Sequence, residues 1–487
     1  MKSNVKKNFV YQIMYQILIS VLPFITSPYI SRVIGASGIG IYSYTYSIAH
    51  YFTLFGNLGI SIYGNRLIAR TRDDKDEMNM AFSSLFSLHL ILCSIVIFCY
   101  VLYVVFIASD YKMYALIQIL YLIAAALDIS WLFFGLEKFK LTVTRNSIIK
   151  IITTLSVFIF VKTGADLWKY ILILALGNFI GQVILWSFFK KYASFHKFHR
   201  GDILVHIKPM FTLFFAAVAV SIYSYMDKIM IGALSSTSEL GYYENAWKMI
   251  EFPVTFVTAL GTVMLPRISN LQTGGHEKEI NQYIFKSLRF SVFTAIAIMF
   301  GLFSIADDFA VVFWGADFAR SGALMKILSI TILFMAWNGV VRQEYLIPHQ
   351  KDNVYLAAVC TGAVLNVIFN SILIPFYGAA GASVGTVVSY SGIFIVQNLA
   401  TKGKLGFRKV IGESVPYVIF AGLMMVGVRM YSRLHSSNVL NLTVEILMGV
   451  AIYGICSFVY VVVSKDAFMK DSVNMVLTKV NKKWKLK

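Results

Sequence analysis

Charged residues are scarce in this chain of 487 residues. Only 14% of the residues are Asp, Glu, Lys or Arg, whereas 58% are hydrophobic. In a soluble domain about a quarter of the residues are charged, and they keep its surface in water. The shortage of charge therefore excludes a water-soluble enzyme and a disordered chain, and it predicts a protein whose solvent is lipid.

Motifs for several kinds of catalysis and metal binding are also missing. The four cysteines form no Cys-x-x-Cys pair and lie in apolar runs, so they are expected to be packed thiols. A phosphate-binding Gly-x-x-x-x-Gly-Lys-Ser/Thr motif is absent, so ATP hydrolysis is not expected. No segment between the apolar runs is long enough to fold as a separate domain. The sequence therefore predicts a protein that is not an enzyme, uses no cofactor or metal, and acts inside or across a bilayer.

The chain has instead a series of long apolar runs. A helix of about 20 apolar residues crosses the roughly 30 Å of hydrocarbon in a bilayer. These runs predict an all-α, polytopic membrane protein with about fourteen transmembrane helices. They lie near residues 9–33, 41–63, 81–107, 113–134, 147–161, 168–189, 209–232, 242–265, 287–306, 321–341, 354–376, 379–400, 413–431 and 440–463.

Basic residues are distributed unevenly between the two sides of the predicted bilayer. With fourteen spans both termini lie on one side, and 33 of the 43 Lys and Arg residues fall there. When residues near a span's end are assigned to the adjacent loop, six fall on the opposite side and four lie inside spans. Because cytoplasmic loops carry the excess of Lys and Arg, both termini are predicted to be cytoplasmic. The net charge of +19 is then explained by topology, and nucleic acid is not expected as a partner.

A short pattern occurs twice, about 200 residues apart. Ile-Gly-Ala at 34–36 and Gly-Ile-Tyr at 40–42 return as Ile-Gly-Ala at 231–233 and Gly-Tyr-Tyr at 241–243. Internal repeats with a substrate site at their interface are typical of transporters. The sequence therefore predicts two six-helix repeat lobes with two C-terminal helices and a basic amphipathic cytoplasmic tail on the anionic inner leaflet. The boundaries are 1–207 and 208–405 for the lobes, 406–464 for helices 13 and 14, and 465–487 for the tail.

Basic residues inside the predicted spans are candidates for binding an anion, because an ionisable group in a bilayer is costly unless it is paired or hydrated. Arg32 and Lys228 occupy matching places in the two halves of the repeat, and Lys248 lies in the next span. All three are predicted to bind substrate from a central cavity. Two alternatives remain: Arg32 and Lys228 could snorkel to the outer headgroups, and Glu244 and Glu251 could neutralise Lys248 on its own helix face.

Acidic residues inside the spans are candidate carriers of a coupling ion, sodium or a proton. Asp227 directly precedes Lys228 in the seventh span, Glu251 lies in the eighth, and Asp128 lies in the fourth. Lys326, in the tenth span, has no assigned role.

Uncharged polar side chains suggest a hydrated interior. Asn366 and Asn370 lie on one helical face, where they could line a cavity or form hydrogen bonds between helices. Four tyrosines at the second span could stack on sugar rings or form an interfacial aromatic belt: Tyr42, Tyr44, Tyr46 and Tyr51.

Several segments of the sequence resemble bacterial flippases for O-antigen, capsule or teichoic-acid units. They are Leu-Pro-Phe at 22–24, Pro-Tyr-Ile-Ser-Arg-Val-Ile-Gly at 28–35, Gly-Ile-Gly-Ile-Tyr at 38–42 and Tyr-Gly-Asn-Arg at 63–66. These flippases form the polysaccharide transporter family of the multidrug/oligosaccharidyl-lipid/polysaccharide exporter superfamily. Lys-Met-Ile-Glu-Phe-Pro at 248–253, with Leu-Gly-Thr at 260–262, is similar to the eighth helix of lipid II flippases.

The resemblance covers essentially the whole chain, and it implies two six-helix lobes, a V-shaped central cavity and alternating access. It also implies basic cavity residues that bind a lipid pyrophosphate. Arg32 and Lys248 match the positions of such residues, and lipid II flippases usually have arginine at the second position. Lys228 is assigned by the internal repeat alone.

The expected function is translocation of undecaprenyl-pyrophosphate-linked oligosaccharide repeat units from the inner to the outer leaflet of the bacterial plasma membrane. The expected partners are this lipid-linked substrate, membrane lipids, a coupling cation and polysaccharide assembly proteins. The alternative is a drug or organic-cation antiporter of the same superfamily. A cation exporter should have an acidic cavity, however, whereas the repeat-matched positions here are basic.

Overall fold

The computed structural model describes residues 2–108, 110–273, 277–401 and 403–464, and the predicted amphipathic tail at 465–487 lies outside these ranges. Within them every regular element is helical, so the predicted all-α class is confirmed. The helices are α1 (Lys2–Asn57), α2 (Ile60–Thr71), α3 (Lys75–Phe106), α4 (Lys112–Ala126), α5 (Ser130–Gly135), α6 (Phe139–Phe160), α7 (Leu167–Tyr192), α8 (Arg200–Leu234), α9 (Thr237–Thr273), α10 (Glu277–Phe309), α11 (Ala319–Ser329), α12 (Thr331–Val340), α13 (Asp352–Tyr377), α14 (Ala379–Thr401), α15 (Phe407–Leu434) and α16 (Val439–Ser464).

The predicted apolar runs coincide with these helices. In the described ranges nine helical segments are long and apolar enough to span a membrane, or ten when the bent pair α11 and α12 counts as one span. The two helices of that pair meet at an angle of 44°. Helix α9, which carries several charged residues, is not among the nine. The polytopic membrane architecture is therefore confirmed, and the number of fourteen spans stays a prediction.

The first predicted span and most of the second lie in one long helix, α1, which is broken at Gly35, between the two spans. This glycine has φ 70° and ψ 180°, and the bend that the sequence predicts at Pro23 and Pro28, in the first arm, stays a prediction. A positive φ costs glycine little, because it has no Cβ to collide with the backbone. The residue that separates the two arms of α1 is thus the glycine of the repeated Ile-Gly-Ala pattern.

The repeat also appears as a reciprocal contact between the second arm of α1 and the start of α9. A Cβ at Gly40 would overlap the carbonyl oxygen of Thr237, and a Cβ at Gly241 would overlap the carbonyl oxygen of Ala36. Gly241 follows Gly40 by 201 residues, and Thr237 follows Ala36 by the same 201. Each repeat therefore contributes one glycine and one carbonyl, as in a contact with two-fold symmetry. Only glycine permits two helix backbones to approach so closely.

Two compact units can be distinguished in the described chain. The first comprises the residues up to 245 together with 366–385, and the second comprises 246–365 and the residues from 386 onward. In the first unit a buried aromatic core surrounds Phe82, Trp131 and Phe189. In the second unit α10 packs on α15 and α16, and the Tyr453 hydroxyl donates a hydrogen bond to the Phe293 carbonyl over 2.9 Å. The predicted lobe boundaries at 207 and 405 stay predictions.

The reciprocal contact predicts a strong effect of a single methyl group. We expect Gly241→Ala to destabilise the protein by about 1–3 kcal/mol, because the new Cβ must push α1 and α9 apart. The midpoint of thermal unfolding of the purified protein in detergent measures the effect.

Gly422→Ala is the matched control, because no heavy atom lies within 4 Å of a Cβ at Gly422, inside α15. This control should leave the midpoint unchanged or raise it slightly, since alanine favours a helix over glycine. Equal midpoints for the two variants would contradict the close approach.

Candidate functional site

A buried ion pair joins α8 to α9 in the first unit. The Lys228 ammonium lies 2.8 Å from Oε2 of Glu244, and the two side chains are only 13% and 12% exposed. Ser43 of α1 donates a hydrogen bond to the same carboxylate oxygen over 3.1 Å. The turn between α8 and α9 is short, and the glycine contact brings α1 against α9. The repeat therefore places one cation and its counter-ion where three helices meet.

A group of tyrosines extends from this ion pair into the first unit. The Lys228 ammonium lies 5.2 Å from the ring centre of Tyr225, a distance suited to cation–π attraction. Tyr46 contacts Tyr225 at 6.4 Å between ring centres and Tyr121 at 5.0 Å. Tyr42 contacts Tyr46 at 5.7 Å and Tyr170 at 5.2 Å. We call Tyr42, Tyr46, Tyr121, Tyr170 and Tyr225 the tyrosine cluster.

Two polar side chains border the tyrosine cluster. The ring of His50 stacks on that of Tyr225 at 4.0 Å between centres. The side-chain amide of Asn178 donates a hydrogen bond to the Tyr121 hydroxyl over 2.7 Å. The cluster thus combines aromatic faces with hydroxyl and amide groups beside one cation. Such a surface can stack on sugar rings and form hydrogen bonds to their hydroxyl groups.

A second polar group surrounds Asp227, the neighbour of Lys228 in the chain. The Asp227 carboxylate is buried and accepts hydrogen bonds from the Tyr243 hydroxyl at 2.7 Å and from Nδ2 of Asn370 at 2.6 Å. Nδ2 of Asn370 also donates to Oδ1 of Asn366 over 3.2 Å. A Cβ at Gly385 would overlap Oδ1 of Asn370, so glycine lets α14 close over this amide.

Two atoms of this Asp227 group stand out. Within the described residues neither Oδ1 of Asn370 nor Nδ2 of Asn366 has a hydrogen-bond partner, although both atoms are buried. A buried polar atom without a partner costs free energy. Their side chains therefore indicate a place where a further group can be bound.

The other two predicted substrate residues belong to different units. Arg32 is exposed on the first arm of α1, in the same unit as Lys228. Lys248 is half-buried on α9 and belongs to the second unit, where Glu251 is exposed on the same helix. The prediction that these basic residues share one cavity stays a prediction.

The remaining in-span charges have local partners. Oδ1 of Asp128 accepts a hydrogen bond from the backbone N–H of Ser130 over 2.8 Å, at the start of α5. The Lys326 ammonium contacts the carboxylate of Asp307, on α10. Asp128 thus stabilises the turn that precedes α5, and Lys326 has a counter-ion within its own unit.

Sequence reasoning missed the contacts that cross from helix to helix. It considered Glu244 only as a possible partner of Lys248 by helical spacing, whereas the structure pairs Glu244 with Lys228 on α8. The signal was present in the repeat, because Glu244 follows Ser43 by the same 201 residues that relate the two glycines. It also ended the tenth span at 341, and so missed Glu344, which is fully buried on a π-helical turn at Val341–Leu346.

The ion pair predicts a non-additive pattern of stability. Removing one partner of a buried pair leaves an uncompensated charge, so Lys228→Met and Glu244→Gln should each lower stability by as much as about 3 kcal/mol. The double variant should lose less than the two single losses together. Thermal midpoints in detergent measure all three.

Lys169→Met is the control, because Lys169 pairs with Asp166 at 2.6 Å but is 38% exposed. Its cost should stay below about 1 kcal/mol. Strictly additive losses in the double variant would show that Lys228 and Glu244 are not coupled.

Known proteins are similar to this chain in sequence and in fold. Residues 5–272, more than half of the chain, match the family described as polysaccharide biosynthesis protein, and residues 213–372 match the MatE family. A protein of Shigella dysenteriae with the provisional name O-antigen transporter is 24% identical over 74% of this chain and 90% of its own length. A protein of Haloferax volcanii named as a probable low-salt glycan biosynthesis flippase is 23% identical over 93% of this chain and 96% of its own length.

Among solved structures, a lipid II flippase in an inward closed conformation superposes with a TM-score of 0.76. It is 16% identical and covers 92% of this chain and 99% of its own, so it establishes the fold. The resemblance in the motifs is therefore confirmed. The chain belongs to the polysaccharide biosynthesis protein family of the multidrug/oligosaccharidyl-lipid/polysaccharide exporter superfamily.

Proposed function

We propose that this chain is a flippase that moves undecaprenyl-pyrophosphate-linked oligosaccharide repeat units from the inner to the outer leaflet of the bacterial plasma membrane. Export of cell-surface polysaccharide requires this step, because the sugars are too polar to cross hydrocarbon unaided. The family supports the proposal, and so do relatives named for O-antigen transport and glycan flipping.

The observation that carries the proposal is the buried Lys228 beside the tyrosine cluster. A pyrophosphate needs cations and hydrogen-bond donors, and the Lys228 ammonium supplies both. The sugars need aromatic faces and hydroxyl partners, which the tyrosine cluster offers a few ångströms away. One polar group in one unit thus matches the two chemically different parts of such a substrate.

Binding of the pyrophosphate at Lys228 would exchange one anion for another, because Glu244 already pairs with this lysine. In the empty protein its carboxylate neutralises Lys228, and an arriving phosphate oxygen would take over that position. Arg32 and Lys248, which match family positions, are proposed as the further cations for the second phosphate. Their guanidinium and ammonium groups would engage the substrate as alternating access brings the two repeats around it.

The lipid tail imposes a different requirement. It can stay in the bilayer throughout translocation, because only the pyrophosphate and the sugars need a polar path. Rigid-body rocking would close this path on one side while opening it on the other.

Asp227 is proposed as the site of the coupling ion. A buried carboxylate favours a cation nearby, and Asn366 and Asn370 add neutral amide oxygens. Because the orientation of an amide follows its hydrogen bonds, a bound ion would turn Oδ1 of Asn370 toward Asp227. One carboxylate with amide and hydroxyl oxygens suits sodium, and the same carboxylate could carry a proton. Asp128, which accepts a backbone hydrogen bond in the turn before α5, and Glu251, which is exposed, fit this role less well.

The proposal predicts where lipid-linked oligosaccharide accumulates in depleted cells. Cells depleted of this protein should accumulate it on the inner leaflet, and wild-type protein should relieve the accumulation. Lys228→Gln and Arg32→Ala should slow flipping by about 10- to 100-fold, the loss expected for a hydrogen bond to a charged group. Accessibility of the sugar to an external lectin on spheroplasts measures the distribution.

Lys169→Gln is the control, because it removes a lysine that also pairs with a carboxylate but is 38% exposed, and it should flip normally. The alternative function, drug or organic-cation antiport, is favoured by the match to the MatE family. It predicts an unchanged leaflet distribution together with altered sensitivity to cationic drugs, and that result would overturn the flippase proposal.

The coupling site predicts a specific loss of ion dependence. We expect Asp227→Asn to slow flipping at least about tenfold and to remove its response to a sodium or proton gradient, because the neutral amide no longer attracts a cation. Proteoliposomes with an imposed gradient measure the response.

Asp128→Asn serves as the control, because the side-chain oxygen of asparagine can accept the same hydrogen bond from the Ser130 backbone. It should keep the full response to the gradient. If Asp227→Asn also keeps that response, the coupling ion binds elsewhere.

A further inference from the structure

A polar cavity lies in the first unit, lined by none of the tyrosines of the tyrosine cluster. Its volume is about 710 Å³, within the range of roughly 300–1,000 Å³ typical of sites for small ligands. It lies between the second arm of α1, the C-terminal ends of α3 and α8, and the start of α4. The distribution of basic residues places these ends of α3 and α8 on the outer side of the membrane.

The two sites use opposite faces of one helix segment. Tyr42 and Tyr46 are four residues apart and share the face of the tyrosine cluster. Tyr44 lies between them and projects from the other side of the helix into this cavity. A Cβ at Gly232 would overlap the ring of Tyr44, so the glycine lets this ring lie flat against α8.

The lining of the cavity is aromatic and hydroxyl-rich. Tyr44, Tyr103 and Tyr111 are half-buried, and the rings of Tyr44 and Tyr111 meet edge to face at 6.2 Å between centres. Tyr100 is fully buried, and its hydroxyl donates to the Ala115 carbonyl over 3.0 Å, so it forms a fixed wall. Aromatic rings that keep one face open provide a platform for the apolar face of a pyranose ring.

The polar groups of the lining accept and donate hydrogen bonds but carry no positive charge. The turn between α8 and α9 contributes Ser235, Ser236 and Thr237, and the loop before α4 contributes Asp110. Lys, Arg and His are absent from the residues that line the cavity in the described chain. A phosphate is therefore disfavoured here, whereas sugar hydroxyl groups suit a carboxylate and a row of hydroxyl groups.

We propose that this cavity is an outer sugar site, which binds an uncharged hexose unit of the oligosaccharide on the outer face. The inference rests on the proposed function, because it takes the translocated glycan as the ligand. The oligosaccharide then meets aromatic rings on both sides of α1: those of the tyrosine cluster on one side and those of this cavity on the other. The outer platform lacks the cation that holds the pyrophosphate, so it binds the glycan through its sugars alone.

The probe that tests this site is the oligosaccharide freed by mild acid from the lipid-linked pool of the cells that make this protein. It lacks both lipid and pyrophosphate, so binding does not depend on Lys228. Wild-type protein in nanodiscs should bind it, with a dissociation constant measured by isothermal titration calorimetry. Tyr111→Ala should weaken binding by about three- to tenfold through loss of a stacking face, and Asp110→Asn should weaken it as well.

Tyr114→Ala is the matched control, since Tyr114 is a half-buried tyrosine on the same helix that does not line the cavity. It should bind as wild type does, as should Lys112→Gln. Absence of binding to the wild type at millimolar probe, or equal losses for Tyr111→Ala and Tyr114→Ala, would overturn the outer sugar site. If depleted cells accumulate lipid-linked oligosaccharide on the inner leaflet and either of those results is obtained, only the outer sugar site is overturned. If depletion leaves the leaflet distribution unchanged, the proposed function is overturned, and this site with it.

Discussion

The contact on which the rest of the first unit depends is the approach of two helix backbones at Gly40 and Gly241. Neither glycine has a side chain, so α1 and the start of α9 touch through main-chain atoms. This distance brings Ser43 within a hydrogen bond of Glu244, and Glu244 in turn holds Lys228. A larger residue at either position would separate the helices and loosen both polar contacts. Close packing of backbones therefore comes first, and the electrostatics of the site follow from it.

The fold could be predicted from the sequence because its causes are local. Apolar length determines which segments enter a bilayer, and the bias of Lys and Arg determines their direction. The repeat was visible because its glycines recur in a short pattern. The number of spans was harder to predict, because α9 carries charged residues among its apolar ones. Whether such a helix spans the bilayer depends on the helices that pack against it. The break in α1 at Gly35 falls between the first two predicted spans, at the glycine of the repeated pattern.

The site could be predicted only in part, because its partnerships join residues far apart in the chain. Lys228 and Asp227 were identified by their cost inside a bilayer, which is a property of each residue alone. The pairing of Lys228 with Glu244 and of Asp227 with Asn370 depends on which helix faces meet, and spacing along one helix does not contain that information. The same reason explains why Tyr121, Tyr170 and Tyr225 were not recognised as companions of Tyr42 and Tyr46.

The carboxylate of Glu244 matters for the half of the transport cycle in which the protein changes conformation without substrate. On the proposed mechanism a flippase completes half of its cycle without cargo, and without Glu244 the Lys228 ammonium would then lack its carboxylate partner. On that mechanism Glu244 takes the place of the phosphate, so Lys228 has an anionic partner whether the protein is loaded or empty. A phosphate that binds Lys228 must displace the Glu244 carboxylate, so the binding free energy is only the difference between the two ion pairs. On this mechanism the affinity for the substrate stays modest and its release stays fast. A tightly bound intermediate is thereby avoided, and one carrier can serve many repeat units in succession.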